Sequence, residues 1–144
     1  MSATRSKETV MAVQTLTGAC HCGKVRIEAD LDLAGGSNRC NCSICSKLRA
    51  WTVITKPQAV RLLAGQDDLS SYEWGAKISQ RMFCKHCGVH VFSRGYLEQV
   101  GGDFCSVNLS VMDVEPATLA TIPVRYFDGR HNNWMATPQF TGYL

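Results

Sequence analysis

Three tight groups of cysteine are the residues best placed to do chemistry in this sequence: Cys20-His21-Cys22, Cys40-Asn41-Cys42-Ser43-Ile44-Cys45 and Cys84-Lys85-His86-Cys87. They hold seven of the eight cysteines, and Cys105 stands alone. Thiolates at such spacings bind metal, and seven of them divide into a closed set of four and an open set of three, which separates a structural zinc from a catalytic one. Disulfides are the poorer reading, because cysteines one residue apart would close a small, strained ring. Met1 to Gln14 also carry no apolar run long enough for a secretory signal, so a reducing, cytoplasmic setting is expected.

The first and third groups each end in glycine, as Cys20-x-Cys22-Gly23 and Cys84-x-x-Cys87-Gly88. Glycine accepts a positive φ and lets backbone amides turn toward the sulfurs. Two such knuckles supply four thiolates to a tetrahedral zinc that would tie an N-terminal hairpin to a later one. Cys40, Cys42 and Cys45 fall within six residues and can surround a second ion with its fourth position open. Three anionic sulfurs weaken the Lewis acidity of zinc, which favours delivery of a soft thiolate over hydrolysis. The competing reading is a second structural zinc completed by Cys105 or a histidine. His21 and His86 lie between ligand cysteines and are expected to point away from the metal. His90 falls on an apparent strand, and His131, in a polar loop, remains the histidine candidate for an active site.

The elements that must position these groups are short and mostly β. Runs with strand character cover 13–17, 24–29, 50–55, 60–64, 69–74, 77–83, 89–93, 104–109 and 124–127. Alternation is clear in Val25-Arg26-Ile27-Glu28-Ala29, which reads as a half-buried strand. Turn residues break the pattern at Leu33 to Asn38, Gly65 to Asp68, Gly75-Ala76 and Gly101 to Asp103. Helix is expected only after Cys42, through Ser43 to Lys47, and around Glu115 to Ala120 with Pro116 in the first helical position.

With 144 residues and 45% hydrophobic content, the sequence fits one domain over 12–144, preceded by a loose tail over 1–11. A net charge of +3 with no Lys/Arg block longer than two residues gives no electrostatic footprint for nucleic acid. Apolar runs are too short for a membrane-spanning helix. An exposed strand edge in so small a β domain is compatible with a homodimer.

The succession Gly18-Ala19-Cys20-His21-Cys22-Gly23, then Cys40-Asn41-Cys42-Ser43-Ile44-Cys45, then Phe83-Cys84-Lys85-His86-Cys87-Gly88 resembles the glutathione-dependent formaldehyde-activating enzyme family, which includes centromere protein V-like proteins. The similarity extends through Val107 to Asp113 and from Tyr126-Phe127 to Trp134. It implies an Mss4-like, β-tent fold of short antiparallel strands around zinc. By resemblance, Cys20, Cys22, Cys84 and Cys87 match the structural-zinc ligands, and Cys40, Cys42 and Cys45 match the catalytic-zinc ligands. The implied activity is that of a carbon-sulfur lyase on an adduct such as S-hydroxymethylglutathione, formed from glutathione, or another small thiol, and formaldehyde or a related electrophile. His131 or Tyr126 would supply a proton, Arg39, Lys47, Arg49 or Arg94 would meet glutathione's carboxylates, and Trp51 and Trp134 would wall a pocket. Asn41 stands where family members commonly have His, and the chain is shorter than the formaldehyde enzyme proper. Two alternatives lie outside catalysis: a zinc-stabilised Mss4-like module that binds a protein, and a labile thiolate site that buffers zinc or redox state.

Overall fold

The computed structural model describes residues 12–144; the expected tail, 1–11, lies outside the described residues. Among the described residues ten strands form two sheets. The smaller joins β1 (Gln14–Ala19), β2 (Arg26–Leu31) and β5 (Val60–Ala64) in the order β1-β2-β5. The larger joins β3 (Ser37–Cys40), β4 (Thr52–Thr55), β6 (Leu69–Tyr72), β7 (Ser79–Cys84), β8 (His90–Leu97), β9 (Gly102–Asn108) and β10 (Val124–Phe127) in the order β10-β3-β4-β9-β8-β7-β6. The fold is mainly β, as the sequence reading has it. Pairing is antiparallel except between β10 and β3, which run parallel with Phe127 opposite Cys40. Among the described residues no helix is long and apolar enough to cross a membrane.

β2 shows why the alternating pattern makes a strand here. Ile27, Ala29 and Leu31 are buried, while Glu28 and Asp30 face outward and meet Arg61 of β5 at 2.8 and 2.9 Å. The inward set joins Val91, Phe92 and Val107 from the larger sheet, and Leu109 just after β9, in one core. Those side chains are at most 2% exposed, so the two sheets share the apolar burial that stabilises the domain.

β3 corrects the reading of 33–38 as a turn. Its sequence, Ser-Asn-Arg-Cys, has little strand propensity, yet Ser37 and Asn38 are 0% and 5% exposed. Burial is tolerated because Ser37 is satisfied: its Oγ donates to Pro123 O at 2.8 Å and accepts from Trp51 Nε1 at 2.7 Å. The same contacts pin β3 beside β10, and β3 carries Cys40 to its end. The two expected helices are present as α1 (Ser43–Leu48) and α2 (Pro116–Leu119), the latter with Pro at its start.

Candidate metal centres and active site

The first and third cysteine groups, sixty residues apart in sequence, converge. The Sγ atoms of Cys20, Cys22, Cys84 and Cys87 all lie within 4.8 Å of one another, and Cys22 Sγ is 3.6 Å from both Cys20 Sγ and Cys84 Sγ. A tetrahedral zinc with bonds of about 2.3 Å requires sulfur separations of roughly 3.8 Å, so the donor set fits such an ion. Each knuckle is shaped by its glycine. Gly23 and Gly88 have φ of +82° and +76°, and their amides donate to Cys20 O and Cys84 O. The turned backbone then aims N–H groups at sulfur: Val25 N donates to Cys20 Sγ at 3.3 Å and His86 N to Cys84 Sγ at 3.4 Å. Backbone amides of Cys22 and Val89 lower the Cys87 pKa to about 6, which readies that thiol as a thiolate ligand. His86 turns outward and pairs with Asp68 through Nε2 at 2.6 Å.

Cys40, Cys42 and Cys45 form a second group within the same 4.8 Å limit. β3 delivers Cys40, Cys42 caps α1, and the first turn of α1 brings Cys45 back to the same point. Hydrogen bonding from Cys40, and then Cys45, drives the Cys42 pKa down to about 2, whereas Cys40 and then Cys42 push Cys45 far up. A cation at their centre would favour ionisation of all three. Cys105 belongs to neither group; it is buried in the core, which pushes its pKa up to about 11. Among the described residues the second group has no fourth Cys, His, Asp or Glu.

Asn41 points away from this cluster. It is 4% exposed, donates from Nδ2 to Asp128 Oδ1 and accepts from Arg130 N, both at 2.9 Å. It thereby holds the 128–131 turn against the end of β3. Trp134 also packs there: a Cβ placed on Gly129 would fall 2.6 Å from Trp134 Cη2 and 2.8 Å from Cys40 Sγ.

The three-cysteine group opens onto a cavity of about 900 Å3 on the face of the larger sheet. Cys40, Cys42 and Cys45 line it, as do Asn38, Trp74, Arg81 and Trp134. Of the aromatic walls expected from sequence, Trp134 is in place, but Trp51 is not: it bonds Ser37 and lies under the Arg39 guanidinium at 5.2 Å. Arg39, Lys47, Arg49 and Arg94 do not line the cavity. Its cations are Arg81 and Arg125. Arg81 Nη2 lies 3.5 Å from Cys45 Sγ, with its guanidinium 5.3 Å from the Trp74 ring centre. Neither His131 nor Tyr126 lines the cavity; His131 Nδ1 instead meets both Asp128 oxygens at 2.9 Å. Sequence reading missed Asn38, Trp74 and Arg81. A polar or charged residue on the inward face of a strand that flanks a ligand cluster is the signal that could have found Arg81, two residues before Phe83 on β7.

Residues 15–127 match the sequence model of the family described as glutathione-dependent formaldehyde-activating enzyme. A protein of Penicillium rubens named "Putative glutathione-dependent formaldehyde-activating enzyme" is 37% identical over 98 residues, covering 63% of this chain and 51% of that protein. One of Pyrenophora teres f. teres with the same name is 35% identical over 100 residues, again 63% and 51% of the two lengths. The chain spans about half the length of these curated relatives. In three dimensions it is similar to a crystal structure of a Rhodobacter sphaeroides protein, with a TM-score of 0.65 and 27% identity over 76% of this chain and 99% of the other.

Proposed function

Because this chain belongs to the glutathione-dependent formaldehyde-activating enzyme family, we propose that it forms and cleaves the carbon-sulfur bond between a small thiol and an aldehyde at Cys40, Cys42 and Cys45. The observation that carries this reading is the contrast between the two cysteine groups, one a closed set of four and the other a set of three facing a large cavity. A protein-binding module would have no need of an open set beside such a cavity.

Cys20, Cys22, Cys84 and Cys87 would hold a structural zinc, and Cys40, Cys42 and Cys45 a second zinc. At the open site the metal would supply a Lewis acid that lowers the pKa of an incoming thiol. The protein's own contribution is placement. Trp74 and Trp134 line the cavity as aromatic walls. Arg81, beside Cys45, adds a positive charge next to a cluster whose ligands are all anionic when ionised. In the forward direction the sulfur lone pair forms the C–S bond, the carbonyl π pair moves to oxygen, and the thiol's proton ends on that oxygen; the lyase direction is the reverse. Proximity of thiol and aldehyde provides much of the acceleration. Glutathione and formaldehyde are the pair the family suggests. The thiols must stay reduced for this chemistry, so the proposed setting is the cytoplasm.

The test is elemental analysis of zinc per chain for the natural sequence and Cys42→Ser, before and after brief chelation, with folding followed by circular dichroism and thiol-aldehyde exchange by NMR. The expected result is two zincs, one labile and lost in Cys42→Ser with the fold retained, and exchange that depends on the labile one. If both resist chelation, or Cys42→Ser unfolds, the middle cluster is structural and the binding-module reading replaces this one.

A further inference from the structure

Among the described residues, three buried side-chain atoms lack a hydrogen-bond partner in the protein: Asp32 Oδ1, Asn38 Oδ1 and Arg81 Nε. All three residues line the one cavity onto which Cys40, Cys42 and Cys45 open. Buried polar groups are nearly always paired, so three orphans among the lining residues of one cavity are unusual, and of the three only Arg81 offers a donor. Arg81 is the most informative of them. Its charge is fixed, no carboxylate pairs with it among the described residues, and it reaches the edge of the thiol cluster. The other cation of the lining is Arg125. It and Asp32 both lie against the Gly35-Gly36 turn, where a Cβ on each glycine would fall 3.3 Å from Asp32 Oδ2 and 3.6 Å from Arg125 Nη2. Arg81 is the lining cation that reaches the proposed reacting sulfurs.

Much of the remaining lining is apolar, with Ile54, Ile78, Phe104, Phe127 and Met135 joining the two tryptophans beside polar residues such as Thr52, Gln99 and Ser106. Ile78 and Met135 are 60% and 81% exposed, a large apolar outlay at the rim of a cavity. At about 900 Å3 the space lies near the top of the roughly 300–1,000 Å3 range of small-molecule sites. A one-carbon unit leaves most of it unfilled.

Building on the thiol-aldehyde reading above, we propose that the preferred substrate is an adduct with a bulky aromatic or alkyl body and a single carboxylate, the carboxylate paired by Arg81 and the body held between Trp74 and Trp134. Arg81 is then a specificity residue for the anion. The apolar rim sets the size of the group carried by the thiol or the aldehyde.

The test is calorimetric binding of unreactive thioethers to the zinc-loaded full chain: (benzylthio)acetate, its neutral amide, (methylthio)acetate and S-methylglutathione. The aryl acid is expected to bind at least about tenfold more tightly than each of the other three, as a charge-assisted pair and a filled apolar wall require. Arg81→Met should remove the difference between acid and amide, and Arg81→Lys should keep part of it. Equal affinity of acid and amide for the natural sequence overturns the proposal, as does tighter binding of S-methylglutathione than of the aryl acid. Those two outcomes do not depend on any variant folding. Exchange of glutathione with formaldehyde, measured alongside, separates the two ideas: exchange without the ligand preference sinks the substrate class alone, while the preference without exchange of any thiol-aldehyde pair sinks the reaction and keeps the recognition.

Discussion

Asn41 Nδ2 donates to Asp128 Oδ1 across 2.9 Å, joining the residue between two candidate metal ligands to a turn 87 positions later. The second half of the same amide accepts Arg130 N, so one buried side chain fixes both the cysteine loop and the turn that abuts it. Hydrogen bonding by Asn41, and then His131, holds the Asp128 pKa below the usual carboxylate range, so Asp128 stays ionised as the acceptor of both. Removing the amide in Asn41→Ala leaves the Arg130 N–H without its partner at a cost of about 1–3 kcal/mol. Outer partners of a metal loop also orient its ligands, so zinc affinity at the open cluster should fall roughly 10–100-fold. Denaturant unfolding and competitive chelation read the two effects separately; wild-type values in both would show that the clamp is idle.

Gly129 sets how closely Trp134 and Cys40 approach. A methyl there would lie 2.6 Å from the ring and 2.8 Å from the sulfur, so Gly129→Ala must displace one of them. Overpacking of this kind costs about 1–3 kcal/mol. Tryptophan fluorescence should shift and the labile zinc should be lost first, with the closed site intact. Gly18→Ala is the contrast, because its methyl would meet Val111 O at 2.5 Å, far from the cavity, and should lower stability without changing the fluorescence of Trp134.

The closed cluster should behave differently from the open one. Cys84 is 0% exposed and its sulfur accepts two backbone amides, from His86 and Cys87. Binding energy of a structural zinc is folding energy, on the order of 10 kcal/mol in small zinc modules. Cys84→Ser is therefore expected to give a chain without cooperative thermal unfolding, whatever zinc is added. A folded Cys84→Ser domain that still retains the zinc resistant to chelation would refute this assignment.

How far the residues announce all this depends on the range of the signal. Gly23 and Gly88 declare the knuckles because a positive φ is a local demand, and Val60 to Ala64 and Val124 to Phe127 are strands over the very ranges their short apolar runs indicate. β3 was hidden because Ser37 and Asn38 are strand residues only once Pro123 and Trp51 pair with Ser37 from distant positions. The cavity was equally hidden. Arg81 reaches Cys45 from β7, four places from β3 in the sheet order, a relation that local spacing does not encode, whereas Arg39 and Trp51 were nearer in sequence and stack on each other instead. Trp134 was legible as an aromatic wall, and Trp74, on the segment after β6, was not.

His90 offers a prediction in acid. It is 9% exposed, with Nε2 2.8 Å from Ser93 Oγ. Burial, and then the nearby charge of Arg81, lower its pKa from 6.5 to about 4, against a backbone contact with Phe92 that raises it. The folded state thus holds His90 neutral where the unfolded chain is protonated. Stability contributed by the neutral ring is complete above pH 6.5 and is lost as pH falls toward 4, because the unfolded state takes up the proton first. At 1.36 kcal/mol per unit the loss is at most about 3 kcal/mol. Acid also protonates the thiolates, so the comparison is between the natural sequence and His90→Gln, in which that second loss is common to both. Urea unfolding from pH 7 to pH 4 should give a shallower decline for His90→Gln, though with lower stability at pH 7 if the Ser93 bond is weakened. Parallel pH profiles for the two proteins would mean that His90 is as readily protonated in the fold as in the open chain.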